Sequence, residues 1–365
     1  MVTITGTNND ETLIGTGGAD IIEGLGGNDT LYGMGADDVM RGGTGDDTMF
    51  VDSAGDSVAE LAGEGNDVVA SSVSWTLTAG ASVELLTTGW IDGTTIVNLI
   101  GNELSQHIWG NNAGNGLTGG GGDDTLFGFG GNDSLVGGEG NDVMFGGAGD
   151  DQLRGGRDDD TYFLDDPGDK IVEAFGEGAH DVAAAGFDYH MVGGQVELLT
   201  TGWIGGTATI ALSSDGQHNE IWGNNGINAL GGGSGNDALF GFGGDDRLDG
   251  GKDADMLFGG SGQDVFVFGI DASTGAQSDD IFDFDVADDT IELDDGKFGA
   301  LPAGALSAGS FVLGTAAADA DDHIIYDSAT GDVFYDFDGT GSTAAVLLFS
   351  VTPGTALTAA DFIVV

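Results

Sequence analysis

Carboxylates recur among glycines every nine residues in this chain, and that combination suits the capture of a hard cation. The unit is Gly-Gly-x-Gly-x-Asp-x-U-x, with U a large apolar residue; GLGGNDTLY (24–32), GFGGNDSLV (128–136) and GFGGDDRLD (241–249) are near-copies. Sixth positions are Glu11, Asp20, Asp29, Asp38 and Asp47 over 6–50. They are Asn115, Asp124, Asp133, Asp142, Asp151 and Asp160 over 110–163, and Asn228, Asp237, Asp246, Asp255 and Asp264 over 223–267. Carboxylates and loop carbonyls form an all-oxygen set suited to Ca²⁺, which accepts about six to eight ligands in irregular geometry, whereas Mg²⁺ demands a tighter octahedron. DFDGTG (336–341) adds Asp336 and Asp338 as a further candidate loop. A metal-free Gly/Asp linker would explain the composition. It would not explain the unbroken frame or the apolar eighth position at Leu31, Met40, Leu126, Leu135, Leu239 and Leu248.

The elements that hold these groups follow from the same frame. Glycine permits tight loops with positive φ, and x-U-x is a short strand with U facing inward. Two units make one coil of a parallel β-helix, so alternate repeats share an edge, with sixth positions about 4.8 Å apart along the axis. Asp20 then stacks on Asp38, and Asp29 on Asp47. Asp124, Asp142 and Asp160 share one edge, Asp133 and Asp151 the other; Asp237 pairs with Asp255 and Asp246 with Asp264. Such stacking is unfavourable without a cation.

The chain has 365 residues, 7 of them basic and 62 acidic, for a net charge of −55. That balance repels nucleic acid and anionic membranes, attracts divalent cations, and predicts a metal-free state held open by self-repulsion. There is no cysteine, so disulfides and thiolate metal sites are excluded. MVTITGTNND lacks the basic and apolar regions of a Sec-type signal, and no apolar run reaches the roughly 18 residues of a membrane span. Loops of this kind nonetheless suit the calcium concentrations outside cells, about 10⁻⁴–10⁻³ M. Export by another route is expected.

The nonapeptide resembles the calcium-binding repeat of the RTX (hemolysin-type) family, secreted bacterial proteins. The resemblance implies an all-β fold, a right-handed parallel β-roll solenoid with β-rich inserts and a C-terminal β cap. It also implies that the carbonyl ligands come from the glycine-rich half of each repeat; one ion per stacked loop pair would give roughly ten Ca²⁺ in all. The expected segments are a first repeat block (1–50), a β-rich insert (51–109), a second block (110–163), a second insert (164–222), a third block (223–267) and a C-terminal region (268–365). The inserts are copies: VELLTTGWI recurs at 83–91 and 196–204, offset by 113 residues, as do IWGNN and LFGFGG. They are expected to extend the solenoid in longer coils or to pack along its side. Degenerate nonapeptides, GNELSQHIW (101–109) and SDGQHNEIW (214–222), lead into the second and third blocks. Beyond the blocks, 281–293 reads as alternating strand and 323–339 as a hairpin about 328–331. The end, Asp361-Phe362-Ile363-Val364-Val365, is similar to an uncleaved type I secretion signal. That would make the type I apparatus a partner and the extracellular space or cell surface the destination.

Ninth positions point outward and alternate with the coil. One face carries Ile14, Tyr32, Phe50, Phe127, Phe145, Phe163, Phe240 and Phe258; the other is largely polar. An aromatic stripe of this kind marks a contact surface, either between subunits or under the inserts and C-terminal region. Trp90 and Trp203 sit at matching points of the inserts. HExxH and GxSxG are absent, and two of the five histidines, His107 and His218, occupy similar places in the two degenerate repeats, which favours a structural role over a catalytic dyad. An enzyme is not expected. The expected purpose is a structural protein that folds on extracellular calcium and assembles with itself into a surface layer, filament or matrix. The alternatives are an adhesin for a cell-surface glycan and an accessory module of a separate secreted enzyme.

Overall fold

Each nonapeptide becomes half a coil, because its eighth side chain is the one that must leave water. The computed structural model describes residues 1–89, 91–174, 177–192, 196–216, 218–269 and 279–365. In it Thr30–Tyr32 lies parallel to both Thr12–Ile14 and Thr48–Val51, with Leu31 level with Leu13 and Met49. Ile21–Gly26 pairs in the same way with Thr3–Thr5 and Val39–Thr44 in a different sheet. Successive repeats thus alternate between two sheets, and the chain is an all-β solenoid of about 14 turns. It divides into two compact units, 1–184 and 185–365.

In the first unit the insert takes the longer-coil alternative. Val68–Ser71 pairs with Thr48–Val51 on one side and Leu85–Thr88 on the other, and Leu85–Thr88 continues to His107–Asn111. Val69 and Leu86 occupy the inward position and are fully buried, so the insert keeps the apolar row while its loops lengthen. The opposite sheet breaks there: one sheet ends at Ser57–Val58 and another starts at Trp75–Thr76.

The second unit repeats the plan through Glu220–Trp222, Ala238–Phe240, Met256–Phe258 and Asp279–Ile281. Its other sheet runs through Ile210–Ser214, Asn228–Ser234, Arg247–Lys252, Val265–Phe268 and Thr290–Leu293. One expectation is corrected here: 281–293 is not a single strand. Asp279–Ile281 and Thr290–Leu293 belong to different sheets, and a turn closes between them where the Asp285 N–H donates to Asp289 Oδ2 at 2.8 Å. Both halves alternate, so periodicity alone could not see the acidic turn. The hairpin stands: Ile324–Asp327 and Asp332–Tyr335 are antiparallel, with Gly331 at φ +91°. Val346–Val351 joins this cap to Asp279–Ile281, and Phe362–Val364 lies along Thr290–Leu293.

The core is narrow. Leu31, Met49, Val69, Leu86, Ile108, Leu126 and Met144 face Ile22, Met40, Val58, Leu117, Leu135 and Leu153, all fully buried. Each is worth about 1.5–3 kcal/mol, but most repeat strands bury only one large apolar side chain, which leaves little surplus, so the loops must contribute stability.

The outward aromatics form ladders. Ring centroids lie 4.5 Å apart for Tyr32–Phe50, 4.6 Å for Phe127–Phe145 and 4.4 Å for Phe145–Phe163. In the second unit the spacings are 4.6 Å for Phe240–Phe258 and 4.7 Å for Phe258–Phe282. These rings are half-exposed or exposed. Trp109 and Phe129 in the first unit, and Trp222 and Phe242 in the second, enlarge the ladders edge-on. Phe129 and Phe242 hold φ of +73° and +72° where the repeats on either side have glycine, a strain of roughly 1–2 kcal/mol present in both copies. Trp203 is 73% exposed, whereas Trp90 lies outside the described residues.

Candidate metal centre

Buried carboxylates run along the turns between the two sheets of each unit. Asp38 Oδ1 accepts from the Asp20 N–H at 2.7 Å, Asp47 Oδ1 from Asp29 at 2.6 Å, and Asp142 Oδ1 from Asp124 at 2.8 Å. The same bond links Asp133 to Asp151, Asp142 to Asp160, Asp237 to Asp255 and Asp246 to Asp264. Residues one coil apart, 18 positions, therefore stack. Each carboxylate meets its neighbour's amide, however, not its neighbour's carboxylate.

The second oxygen decides the chemistry. Oδ2 of Asp29, Asp38, Asp47, Asp124, Asp133, Asp142, Asp151, Asp160, Asp237, Asp246, Asp255 and Asp264 is buried with no hydrogen-bond partner. It faces the first glycine of its own repeat. A Cβ on Gly24 would lie 2.3 Å from Asp29 Oδ2 and 2.5 Å from the Gly42 carbonyl oxygen; on Gly128, 2.2 Å from Asp133 Oδ2 and 2.3 Å from Gly146 O. Carboxylate and carbonyl oxygens thus converge over a bare Cα, acceptor beside acceptor with no donor between them. Leaving such an atom unsatisfied costs about 1–3 kcal/mol. Ca²⁺ would supply the positive charge that both oxygens lack, and the all-oxygen donor set fits it.

Burial, reinforced by neighbouring carboxylates, pushes Asp124, Asp133, Asp142, Asp246 and Asp255 up to about 7 and Asp160 up to about 8. Asp151, Asp237 and Asp264 rise to about 6. The folded metal-free chain therefore holds protons that the unfolded chain has released. The associated stability is complete below the ordinary carboxylate pKa and is lost as pH rises through about 6–8. Metal-free protein is expected to gain β structure by circular dichroism on going from pH 8 to pH 5.5. Calcium affinity should fall over the same interval as protons compete. A metal-free spectrum unchanged between these pH values would contradict this.

Some sequence-derived candidates are placed differently. Asp20 Oδ2 accepts from the Thr16 N–H and hydroxyl, and Glu11 from those of Thr7. Asn115 Oδ1 accepts from Asn111 while its amide donates to Val97 O; Asn228 does the same with Asn224 and Ile210. At the start of a row a carbonyl needs a donor, and an amide brings one without a cation. Gln106 and Asn219, missed in the sequence, open the other rows. Asp336 Oδ1 accepts from the Asp338 N–H, and Asp338 Oδ2 from Thr343, so these two form a local turn and only Asp338 Oδ1 is left unmatched.

Rows also run past the blocks. Asp56, Asp67, Asp169, Asp181, Asp279 and Asp289 each accept from the sixth-position amide of the preceding coil. All but Asp181, which is followed by Val182-Ala183, keep the half-motif Asp-x-U, as in Asp67-Val68-Val69, and that signal could have found them where the nine-residue frame breaks. Asp56 and Asp169 are satisfied by their own loop amides, unlike Asp67, whose Oδ2 has no partner. His107 and His218, at similar places in the two degenerate repeats, have different surroundings. His107 begins a strand, whereas His218 Nδ1 accepts from the Asn236 N–H in a loop, the part Ser105 plays for Asp123.

An oxygen-lined β-solenoid of this design is a calcium-binding fold. The RTX calcium-binding nonapeptide repeat (4 copies) matches at 5–39, 14–49, 23–58, 109–144 and 127–162, and the peptidase M10 serralysin C-terminal domain matches at 221–364. The chain thus carries RTX calcium-binding nonapeptide repeats and a serralysin-type C-terminal domain, a combination that matches the RTX family. RTX nonapeptides bind Ca²⁺, and the two matches together indicate a secreted protein exported by the type I route. No curated protein matches the chain closely enough to count as a relative. Among the described residues no helix is long and apolar enough to cross a membrane.

Proposed function

We propose that this protein is a non-catalytic extracellular scaffold that folds on calcium and then assembles with itself through its aromatic ladders. The observation that carries this reading is the duplicated ladder: stacked, half-exposed rings at 4.4–4.7 Å spacing, extended in each copy by a phenylalanine at positive φ. Exposed contiguous apolar surface of this kind is expensive on a monomer and typical of a contact face. The sixth-position aspartates with unmatched Oδ2 hold roughly ten ions in this reading, one per stacked loop pair. Surface layer, filament and matrix are forms such assembly could take.

Electron microscopy of the full chain in millimolar Ca²⁺ tests it. Ordered assemblies are expected for the wild type, and dispersed particles for the Phe127→Ser, Phe145→Ser, Phe240→Ser triple variant with its β spectrum unchanged. Monodisperse wild type would overturn assembly, and glycan binding by that monomer would favour an adhesin.

A further inference from the structure

A carboxylate stands where the nonapeptide frame calls for glycine at the end of two blocks. Gly24 and Gly42 open repeats one coil apart, and the next coil puts Glu60 at that position; Gly155 is followed in the same way by Glu173. Both glutamates lie outside the stretches that match the repeat, 5–58 and 109–162. Glu60 is 1% exposed and turns back over the block, accepting from the N–H groups of Gly42 and Gly43. Its carboxylate, that of Asp47 and that of Asp67 all lie within 4.8 Å of one another. Asp47 and Asp67 are each 1% exposed, and Oδ2 of each has no hydrogen-bond partner. Three buried acids thus converge with two unmatched oxygens.

The duplicate carries counterparts of these acids: Asp160 and Glu173 stand 113 residues after Asp47 and Glu60, and Asp181 stands 114 after Asp67, although the convergence within 4.8 Å is found at the first trio alone. Glu173 Oε1 accepts from the Gly155 N–H at 2.8 Å, and from the Tyr162 hydroxyl, while Glu173 Oε2 and Asp160 Oδ2 have no partner. Asp181, fully buried, continues the row through the Asp160 amide at 2.8 Å. The following loop is copied too: the Leu61 N–H donates to Glu64 and the Ala174 N–H to Glu177, both at 2.8 Å.

We propose that Asp47–Glu60–Asp67 and Asp160–Glu173–Asp181 are a second class of Ca²⁺ site, outside the nonapeptide frame, that bolts each insert to the block before it. In each, one ligand comes from the last repeat and two from the insert, so one ion spans the junction. A repeat loop offers its ion glycine carbonyls. These junctions offer a third carboxylate in their place, which predicts tighter binding and earlier filling. The inference rests on the reading of the repeats as calcium loops.

The test is an ion count by native mass spectrometry on the full chain in excess Ca²⁺, with circular dichroism followed through a calcium titration. Glu60→Gln and Glu173→Gln keep an oxygen for the glycine amides but remove the charge. Each is expected to lose one ion and the double variant two, with the β spectrum at saturation retained and the folding midpoint moved to about tenfold higher calcium. An unchanged count would overturn the junction sites, leaving Glu60 and Glu173 as hydrogen-bonding caps. A wild type that binds no calcium would instead sink the underlying reading of the repeats. Should Glu60→Gln not fold, Glu60→Gly, which restores the residue of the frame, gives the same count.

Discussion

Stripping calcium from the full chain at pH 8 is expected to remove most of its far-ultraviolet β signal, and millimolar Ca²⁺ to restore it. Two opposing terms set the size of the effect. A net charge of −55 and rows of buried carboxylates with unmatched oxygens oppose the metal-free fold, while most repeat strands offer the core only one large apolar side chain. On the other side, an ion that binds only the folded form at 100 times its dissociation constant adds about 2.7 kcal/mol per site. A few such sites match the roughly 5–15 kcal/mol of an ordinary domain. In the proposed reading, folding outside the cell and an open chain during export both follow from this charge balance. A chain that keeps its β spectrum in excess chelator at pH 8 would refute the coupling.

Gly128→Ala is expected to cost at least about 3 kcal/mol in saturating calcium, at the upper end of single substitutions. Gly128 does not sit at positive φ, so the penalty is steric. The new Cβ would overlap Asp133 Oδ2 at 2.2 Å and Gly146 O at 2.3 Å, the two oxygens read here as ligands. Both must move, and the calcium midpoint of folding should rise about tenfold or more, by the 1.4 kcal/mol per decade that links affinity to free energy. Gly17→Ala is the control. A Cβ there meets nothing within 4 Å, so its effect should stay within about 0.5 kcal/mol. Equal effects at the two positions would show that the convergence over Gly128 has no bearing on calcium or stability.

Nearly all of the fold was legible because the frame is periodic and local. Leu31 and Leu135 announce inward residues, and the glycines before Asp29 and Asp133 announce turns. Reading failed where spacing changed. Asp67 lies 20 residues after Asp47 and Asp279 lies 24 after Asp255, so a nine-residue window loses the row even though each side chain keeps its place in it. Reading also failed where two strands of different sheets alternate in one stretch, as at 281–293. Phe129 escaped notice because it joins the aromatic ladder from outside the ninth position, and Trp109 because its repeat is degenerate, although it is that repeat's ninth residue and lies level with Phe127.

By itself the sequence determined the solenoid, its coil length, the acidic rows and the preference for a hard cation, since each follows from residue type at fixed spacing. Only the tertiary structure decided which oxygen of each carboxylate is spoken for. Oδ1 is taken by an amide one coil away, Oδ2 is left facing a carbonyl, and at Asp20 and Asn115 local donors satisfy the group instead. Those distinctions depend on where a neighbouring coil's N–H and C=O groups point, and no pattern along a single strand carries that direction.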